Sequence, residues 1–199
     1  MVCIRGKTST NIDADILRAT AYRDVLIDVG TGDGRYVLHV ARTCPEMFVV
    51  GVDACRDNLR KASRKSPENA LFVIANALAL PGELGGTASK ITINFPWGSL
   101  LTGLLDGEPA LLEGLRAITR PGAEMEILLN AGALTEAGYT PQSGGARVVS
   151  ALHEAGFNAG DLILLDARRL RQCHTTWAKR LAYGRDPHAV YLEARLPHP

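Results

Sequence analysis

Residues 26–34 read Leu-Ile-Asp-Val-Gly-Thr-Gly-Asp-Gly, and this stretch constrains the fold more than any other part of the chain. The mostly apolar run at its start suits a buried parallel strand, and the glycines let the backbone turn sharply and approach a ligand closely. The next residues, 35–42, are compatible with a helix. The pattern therefore predicts a strand, a glycine loop and a helix, the first unit of a nucleotide-binding α/β domain.

The spacing of the glycines indicates which nucleotide is bound. The dinucleotide fingerprint is G-x-G-x-x-G, whereas this loop has G-x-G-x-G at Gly30, Gly32 and Gly34, preceded by Asp28. This spacing disfavours an NAD-dependent enzyme and resembles motif I of the class I S-adenosylmethionine (SAM) methyltransferases. Asp53 ends a second apolar run, where a carboxylate can accept hydrogen bonds from both ribose hydroxyls. A glycine-rich turn without a ligand is the alternative.

Length and composition limit the possibilities further. At 199 residues the chain fits one domain, 1–199, with an N-terminal extension at 1–20 that could form a small hairpin. The 22 basic and 21 acidic residues nearly balance, so any nucleic-acid surface must be a local patch. The four cysteines form no C-x-x-C pair, which argues against a zinc site and a disulfide framework. No signal peptide or apolar run of membrane-spanning length is recognisable, so we expect a metal-free, cytoplasmic protein, most simply a monomer.

Apolar runs and helix-compatible stretches alternate along the chain. Strands are predicted at 24–29, 47–52, 71–75, 90–94, 124–129, 161–166 and 189–195, and helices at 13–20, 35–44, 57–65, 99–105, 109–119 and 146–155. Residues 133–145 are interpreted as a loop and 120–122 as a turn. This order predicts an α/β fold with a seven-stranded, mostly parallel sheet and an antiparallel final strand, the Rossmann-like fold of class I SAM-dependent methyltransferases.

Two loops are expected to meet the two substrates. Ala-Asn-Ala at 75–77 follows the third predicted strand and would meet the adenine of SAM, because the amide of Asn76 can both donate and accept hydrogen bonds. An ordinary loop asparagine is an equally good interpretation. The loop after the fourth strand, Asn-Phe-Pro-Trp-Gly at 94–98, would hold the methyl acceptor.

The chain has two tryptophans, and both are predicted to lie in loops at the carboxyl edge of the sheet, where ligands bind in such folds. Trp97 follows the fourth strand, and Trp177 lies between the sixth and the seventh. Two flat side chains at one site could sandwich a flipped base, since stacking tolerates any sequence and contributes about 1–3 kcal/mol per base. The alternative is that each tryptophan packs on the core.

Basic residues cluster in two places. Residues 168–185 surround Trp177, hold no Asp or Glu, and carry Arg168, Arg169, Arg171, Lys179, Arg180 and Arg185. Residues 56–65 carry Arg56, Arg60, Lys61, Arg64 and Lys65. Basic residues interleaved with an aromatic suit phosphate contact combined with base capture. A merely solvated, charged face is the alternative.

Specific motifs resemble one family. Phe-Pro-Trp-Gly-Ser-Leu-Leu at 95–101, Thr-Thr-Trp-Ala-Lys-Arg-Leu at 175–181 and Arg-Asp at 185–186 resemble the kanamycin–apramycin resistance (Kam) 16S rRNA methyltransferases, and the resemblance extends to the glycine loop and to Gly-Lys at 6–7. It implies SAM-dependent methylation of N1 of adenine 1408 in the 16S rRNA decoding site of the 30S subunit, which gives aminoglycoside resistance.

The resemblance also implies roles for individual residues. Trp97 and Trp177 would grip the flipped adenine, and Thr175 would help to order the Trp177 loop. The residues expected to bind SAM are Asp28, Gly30, Thr31, Gly32, Asp53, Ala54, Ala75, Asn76, Ala77 and Ser99. The residues expected to bind RNA are Lys7, Arg60, Lys61, Arg64, Lys65, Lys179, Arg180 and Arg185, the last two through phosphates.

Methylation of adenine N1 needs little help from a general base, because N1 has an in-plane lone pair and carries no proton near neutral pH. The enzyme has mainly to extrude the base and aim N1 at the methyl group. Tryptophan faces would stabilise the cationic product by cation–π attraction, about 0.5–2 kcal/mol each. The tryptophans are therefore expected to be catalytic through positioning and electrostatics, with no His or carboxylate assigned as a base.

Two features depart from the family pattern. Residues 131–145 are a short linker rich in small residues, and Leu78 stands where an acidic residue is expected. We expect 131–145 and 167–187 to be linkers that face the substrate. The alternatives that stay open are a methyltransferase acting on tRNA, one acting on a small molecule, and a weakly active or non-catalytic RNA-binding protein with the same fold.

Overall fold

The computed structural model describes residues 1–13, 22–184 and 186–198. Its strands are β1 (Val2–Arg5), β2 (Thr8–Asn11), β3 (Asp24–Val29), β4 (Met47–Asp53), β5 (Ala70–Ile74), β6 (Ala88–Asn94), β7 (Thr119–Asn130), β8 (Asn158–Ala159), β9 (Ile163–Leu165) and β10 (Ala189–Arg195). Its α-helices are α1 (Arg35–Thr43), α2 (Arg56–Ser63), α3 (Ser99–Asp106), α4 (Pro109–Ile118), α5 (Ala131–Glu136), α6 (Pro141–Glu154), α7 (Ala167–Leu170) and α8 (Thr176–Ala182). None of these helices has the length and apolar character needed to cross a membrane. The helix predicted at 13–20 lies, apart from its first residue, outside the described residues.

The strands form one mixed sheet in the order β2-β1-β5-β4-β3-β6-β7-β10-β8, and β9 also pairs with β10. Strands β3 to β7 are parallel to one another, whereas β10 is antiparallel to β7. The predicted α/β class with an antiparallel final strand is therefore confirmed. The sheet has more than the predicted seven strands, because β1 and β2 extend one edge and residues 158–165 form two short strands instead of one.

Alternate residues of the central strands pack against opposite layers of helices. In β3, Val25, Ile27 and Val29 belong to the core shared with α3, α4 and α6, whereas Leu26 packs with α1 and α2. Because both faces are covered, the strand is a nearly continuous apolar run. The strand order reverses between the neighbours β3 and β6. In open α/β sheets, ligands bind outside the carboxyl ends of the strands at such a switch point.

An N-terminal hairpin, β1 and β2, extends the sheet and rests on α2. Cys3 of β1 pairs with Val73 of β5 in antiparallel register. The amide of Gly6, in the hairpin turn, donates to Ser63 Oγ of α2 at 3.0 Å. The hairpin is therefore attached both to the sheet and to the helix that follows β4.

The loop predicted at 133–145 is wrong. Residues 131–136 form α5, and α6 begins at Pro141 rather than at residue 146, so that only 137–140 connect the two helices. Thr140 caps α6: its Oγ1 accepts the Ser143 amide at 3.1 Å, and Ser143 Oγ accepts the Thr140 amide at 3.0 Å. This reciprocal cap satisfies two amides at the helix start and offsets the low helix propensity of the residues that follow.

Two glycines in α6 account for the error. A Cβ on Gly144 would lie 2.7 Å from a Leu134 methyl, and a Cβ on Gly145 would lie 2.9 Å from a Leu162 methyl. Both glycines therefore allow close packing of α6 against its neighbours. In the sequence alone, the same residues resemble a flexible loop.

The turn predicted at 120–122 lies inside β7. Ala88 pairs with Thr119 and Lys90 pairs with Glu124, so β7 contains extra residues relative to β6. Gly122, with φ 79°, lies in this bulge. The turn-forming residues thus produce a local irregularity in the strand, whose paired part begins at 119 rather than 124.

Candidate active site

An open cleft of about 520 Å³ lies at the carboxyl ends of β3, β4, β5 and β6. Every residue predicted to bind SAM lines it, and so do Trp97, Trp177, Thr175 and Arg180. The sheet switch point, the glycine loop and both tryptophans therefore meet at one place, although they come from distant parts of the chain.

The three glycines of the loop have different structural tasks. Gly30, Gly32 and Gly34 have φ of 75°, 56° and 68°, a region that L side chains rarely adopt. A Cβ on Gly34 would lie 2.5 Å from the Phe72 ring, so this glycine allows the loop to pack on β5. A Cβ on Gly32 would meet nothing within 4 Å. Gly32 therefore borders open space, which a ligand can approach.

Asp53, at the end of β4, is held by backbone amides on both oxygens. Its Oδ2 accepts the Gly32 amide and its Oδ1 accepts the Cys55 amide, each at 2.8 Å. These contacts fix the carboxylate beside the glycine loop while leaving lone pairs for other donors. Such a fixed acceptor suits a pair of ribose hydroxyls.

Asp28 forms the floor of the cleft and is 1% exposed. Its Oδ1 accepts the Thr92 hydroxyl at 2.7 Å and the Asn94 amide at 2.9 Å. Burial raises the pKa of Asp28 to about 6, against the lowering effect of these hydrogen bonds. A carboxylate that is mostly ionised at neutral pH in so buried a position suits a positively charged ligand.

In the 75–77 loop, one end of the Asn76 amide is already hydrogen-bonded within the loop. Asn76 caps the short 3₁₀ helix Ala77–Ala79, because its Oδ1 accepts the Leu78 amide at 3.0 Å. Its Nδ2 group remains as a donor. Leu78 does not line the cleft; it packs towards Gly103 of α3. The unusual leucine is thus explained by packing.

Trp97 lies in the loop between β6 and α3, as predicted. The preceding Phe95 has φ 53°, rare for a bulky residue, and its amide donates to the Leu128 carbonyl at 2.7 Å. Phe95 is 6% exposed, whereas Trp97 is 55% exposed. The loop therefore buries its phenylalanine and presents its tryptophan. Ser99 begins α3 at the edge of the cleft.

Trp177 lies in a helix rather than in the predicted loop. Thr175 is the N-cap of α8, and its Oγ1 accepts the Ala178 amide at 3.0 Å. Trp177, the second residue of α8, is 49% exposed, and the guanidinium of Arg180 lies 5.6 Å from its ring centroid. Neither tryptophan is therefore a core residue. The helix was missed because its cap, a threonine, lies within a run of polar and basic residues.

The residues predicted to bind RNA fall into two groups. The first group lies on the N-terminal hairpin and on α2. The two elements are joined there, because the Arg56 guanidinium donates to the backbone carbonyl of Lys7 at 2.8 Å. The exposed residues of this group are Lys7, Arg60, Lys61, Arg64 and Lys65. The second group, on α8, contains the exposed Lys179 and Arg180. Arg185 lies outside the described residues.

Further residues of the cleft were not predicted. They are Asp33, Tyr36, Val52, Cys55, Asn58, Asn94, Phe95, Pro96, Leu100 and Thr176. Asp33 and Asn94 could have been found, because each lies inside a motif that the sequence already marks. Tyr36 and Asn58 lie on helices, and no local pattern distinguishes them from surface residues.

The chemistry of the lining fits SAM. Three carboxylates, Asp28, Asp33 and Asp53, lie beside apolar side chains such as Val52 and Leu100. Carboxylates favour the positive charges of the sulfonium and amino groups, and an apolar wall favours the adenine. Among the described residues, no histidine lines the cleft and no cluster of potential metal ligands is present.

Comparisons with known proteins agree with this geometry. The NpmA family model, described as 16S rRNA (adenine(1408)-N(1))-methyltransferase, matches residues 2–196. A relative of that name from Streptoalloteichus tenebrarius is 35% identical over 181 residues, which is 83% of each chain. One from Escherichia coli is 29% identical over 205 aligned positions, 93% of this chain and 94% of that one.

Solved structures share the fold over the full length. The 16S rRNA methyltransferase KamB superposes with a TM-score of 0.86 at 32% identity, covering 100% of both chains. A variant of the 16S rRNA (adenine(1408)-N(1))-methyltransferase from Catenulisporales acidiphilia, solved with the cosubstrate SAM, gives 0.86 at 28% identity, covering 100% of this chain and 98% of that one.

Proposed function

Because this chain belongs to the 16S rRNA (adenine(1408)-N(1))-methyltransferase family, we propose that it methylates N1 of adenine 1408 in the 16S rRNA of the 30S ribosomal subunit. The consequence would be resistance to aminoglycosides such as kanamycin and apramycin. The observation that carries the proposal is the single cleft in which two half-exposed tryptophans meet the glycine loop and Asp53.

SAM would supply the electrophilic methyl group. We assign its ribose to Asp53, whose carboxylate is already oriented by two amides. We assign its positively charged end to the region of Asp28 and the open side of Gly32. The loop at 75–77 would border the adenine, with Asn76 as a hydrogen-bond donor. The remaining residues assigned to SAM are Gly30, Thr31, Ala54, Ala75, Ala77 and Ser99.

Trp97 and Trp177 would hold the flipped adenine. Their exposure of 55% and 49% leaves ring surface for a base, and stacking on each contributes about 1–3 kcal/mol. The Arg180 guanidinium occupies one side of Trp177 and restrains the ring. Thr175 would act indirectly, because it caps the helix that carries Trp177.

The reaction needs orientation more than proton transfer. N1 of adenine is already an unprotonated nucleophile, and the cationic product is favoured between aromatic faces and beside carboxylates. The chain's own contribution is therefore to extrude, grip and aim the base.

The two basic groups would contact rRNA phosphates. Lys7 and the exposed face of α2 form one surface, and Lys179 and Arg180 flank the cleft from α8. We extend this assignment to Arg185. Since one chain supplies the cofactor residues and both tryptophans, we propose a cytoplasmic monomer as the active form.

The test is methyl transfer from labelled SAM to purified bacterial 30S subunits, with the modified nucleotide mapped by a reverse-transcription stop. We expect a stop at adenine 1408. Trp177→Ala should lower the rate about 5- to 150-fold, which corresponds to one lost stacking partner. Trp177→Phe should retain part of the rate. Tyr183→Ala is the matched control, because Tyr183 is a 78% exposed aromatic just beyond α8 that does not line the cleft.

Other outcomes would select other functions. Activity on free tRNA but not on 30S subunits would identify a tRNA enzyme. Turnover of a small molecule that survives charge reversal at Arg180 would identify a small-molecule enzyme. Binding to 30S subunits and to SAM without methyl transfer would identify a non-catalytic RNA-binding protein.

A further inference from the structure

The segment that carries Trp177 is attached to the cofactor loop by a hydrogen bond. The Thr176 hydroxyl donates to Asp33 Oδ2 at 3.2 Å. Thr176 immediately precedes Trp177 and begins α8, whereas Asp33 lies between Gly32 and Gly34. This contact joins the residue beside one proposed base-gripping ring to the loop that borders the proposed SAM site.

Asp33 is oriented by its own loop before it meets α8. Its Oδ1 accepts the Arg35 amide at 3.2 Å, and Arg35 Nε lies 3.4 Å from its Oδ2. Its position therefore follows the glycine loop, and Gly32 in that loop donates to Asp53. Asp53 is therefore connected to Thr176 by two hydrogen bonds, one to Gly32 and one from Thr176 to Asp33, and by the backbone that joins Gly32 to Asp33.

A second contact lies on the same side of α1. The imidazoles of His39 and His174 stack, with ring centroids 4.1 Å apart and planes 20° apart. His174 precedes the N-cap of α8, so residues 174–176 touch the cofactor loop and α1 together. The opposite side of α8 is anchored by apolar packing of Ala178 and Ala182 with Phe95 and its neighbours.

We propose that Asp33 is a positioning residue, which sets the N-terminal turn of α8, and with it Trp177, relative to the cofactor cleft through Thr176. This inference rests on the proposed function, because it concerns the ring that would hold the adenine. The apolar anchor fixes α8 to the body of the protein. The hydrogen bond to Asp33 restrains the orientation of the first turn, where Trp177 is located.

The size of the effect follows from the geometry. Asp33 has a side-chain exposure of 47%, so its hydrogen bond is weaker than a buried charge-assisted one. Small displacements of a reacting group are costly because methyl transfer needs an in-line approach. We therefore expect about a three- to tenfold loss of kcat when the contact is removed, with the KM for 30S subunits changed less than about twofold.

The kinetic test uses the full chain on 30S subunits at saturating SAM. Thr176→Val keeps the shape but removes the hydroxyl, and Asp33→Ala removes the acceptor. Each should lower kcat, and the double variant should be no slower than the slower single variant, since both remove one interaction. Thr176→Ser should restore the wild-type kcat. Arg35→Gln is the matched control, because it removes only the exposed side-chain ion pair to Asp33 and leaves both the Arg35 backbone amide that orients Asp33 and the Thr176 hydroxyl contact.

A second readout does not depend on activity. The chain has two tryptophans, so a Trp97→Phe background leaves Trp177 as the one indole fluorophore. In that background, Thr176→Val and Asp33→Ala should lower the fluorescence anisotropy of Trp177 and raise its quenching by acrylamide. Arg35→Gln and Thr176→Ser should leave both unchanged.

These readouts separate two failures. Wild-type protein without methyl transfer to 30S subunits would overturn the proposed function, while the anisotropy of Trp177 would still decide whether Asp33 positions it. Three results would refute the positioning role. They are an unchanged anisotropy in both variants, a double variant whose loss of kcat equals the product of the two single losses, and a loss of 30S affinity with kcat intact.

Discussion

Replacing Asp28 by asparagine should make the folded protein more stable at neutral pH. Asp28 is 1% exposed, and burial raises its pKa from the ordinary value of 3.8 to about 6. Because the folded-state pKa lies above the unfolded-state value, the ionised group destabilises the fold at high pH, and this penalty shrinks as the pH falls through 6 and is lost below about 4. At 1.36 kcal/mol per unit, the penalty at pH 7 is about 3 kcal/mol.

Asparagine removes the charge and keeps an oxygen that can accept from Thr92 or Asn94. We therefore expect Asp28→Asn to raise the free energy of unfolding at pH 7 by up to about 3 kcal/mol. The advantage should shrink by about 1.3 kcal/mol between pH 7 and pH 5, because wild-type Asp28 becomes protonated there. Urea unfolding of both proteins at pH 5, 6 and 7 measures this difference, and other titrating groups cancel in the comparison. SAM affinity should fall in the variant.

Thr92→Val sharpens this experiment. It keeps the carboxyl group but removes a hydrogen bond that lowers the pKa of Asp28. Its stability should therefore depend on pH more steeply than that of the wild type in the same range. If the gap between Asp28→Asn and the wild type stayed constant or widened towards pH 5, the assignment of a raised pKa to Asp28 would be refuted.

Three further changes test interactions elsewhere in the fold. Gly34→Ala should cost about 2–4 kcal/mol in urea unfolding, because the new Cβ would lie 2.5 Å from the Phe72 ring at φ 68°; an unchanged midpoint would contradict this. Asn69→Ala should cost about 2–4 kcal/mol by the same assay, because the buried Nδ2 donates to backbone carbonyls at 2.8 and 3.0 Å. His39→Phe should keep the stack with His174 but remove a titration: burial, followed by His174, lowers the pKa of His39, so wild-type stability is lost relative to the variant as the pH falls below about 6.5. If the free energies of unfolding of the wild type and the variant differed equally at pH 5 and pH 7, this third prediction would be contradicted.

Much of the fold could be predicted from local patterns. The glycine loop and the apolar runs around it identify β3, β4 and the helix between them, because backbone conformation and burial are specified by residues next to each other. The same patterns locate β6 and β10 within two residues of their true bounds. Predictions failed where the local pattern was misleading or weak. The glycines of α6 resemble a loop, and only Ile163–Leu165 of the strand predicted at 161–166 is a strand, while Asn158–Ala159 forms another.

By itself, the sequence determines the α/β class, the cofactor loop, the acid at the end of β4 and the two tryptophans as candidate site residues. These features depend on the spacing of neighbouring residues and on backbone geometry, which act over a few positions. The family resemblance adds the chemistry that such a site would perform.

Tertiary structure decided how those residues meet. Burial in the assembled sheet raises the pKa of Asp28, and the hydrogen bonds from Thr92 and Asn94, on another strand, partly oppose that rise. Trp177 lies in a helix whose start contacts Asp33, 143 positions earlier in the chain. Contacts over such separations depend on how the strands are ordered in the sheet and how the helices pack on it. No local sequence pattern predicts these contacts, because the residues that make them are far apart in the sequence and become neighbours only when the chain has folded.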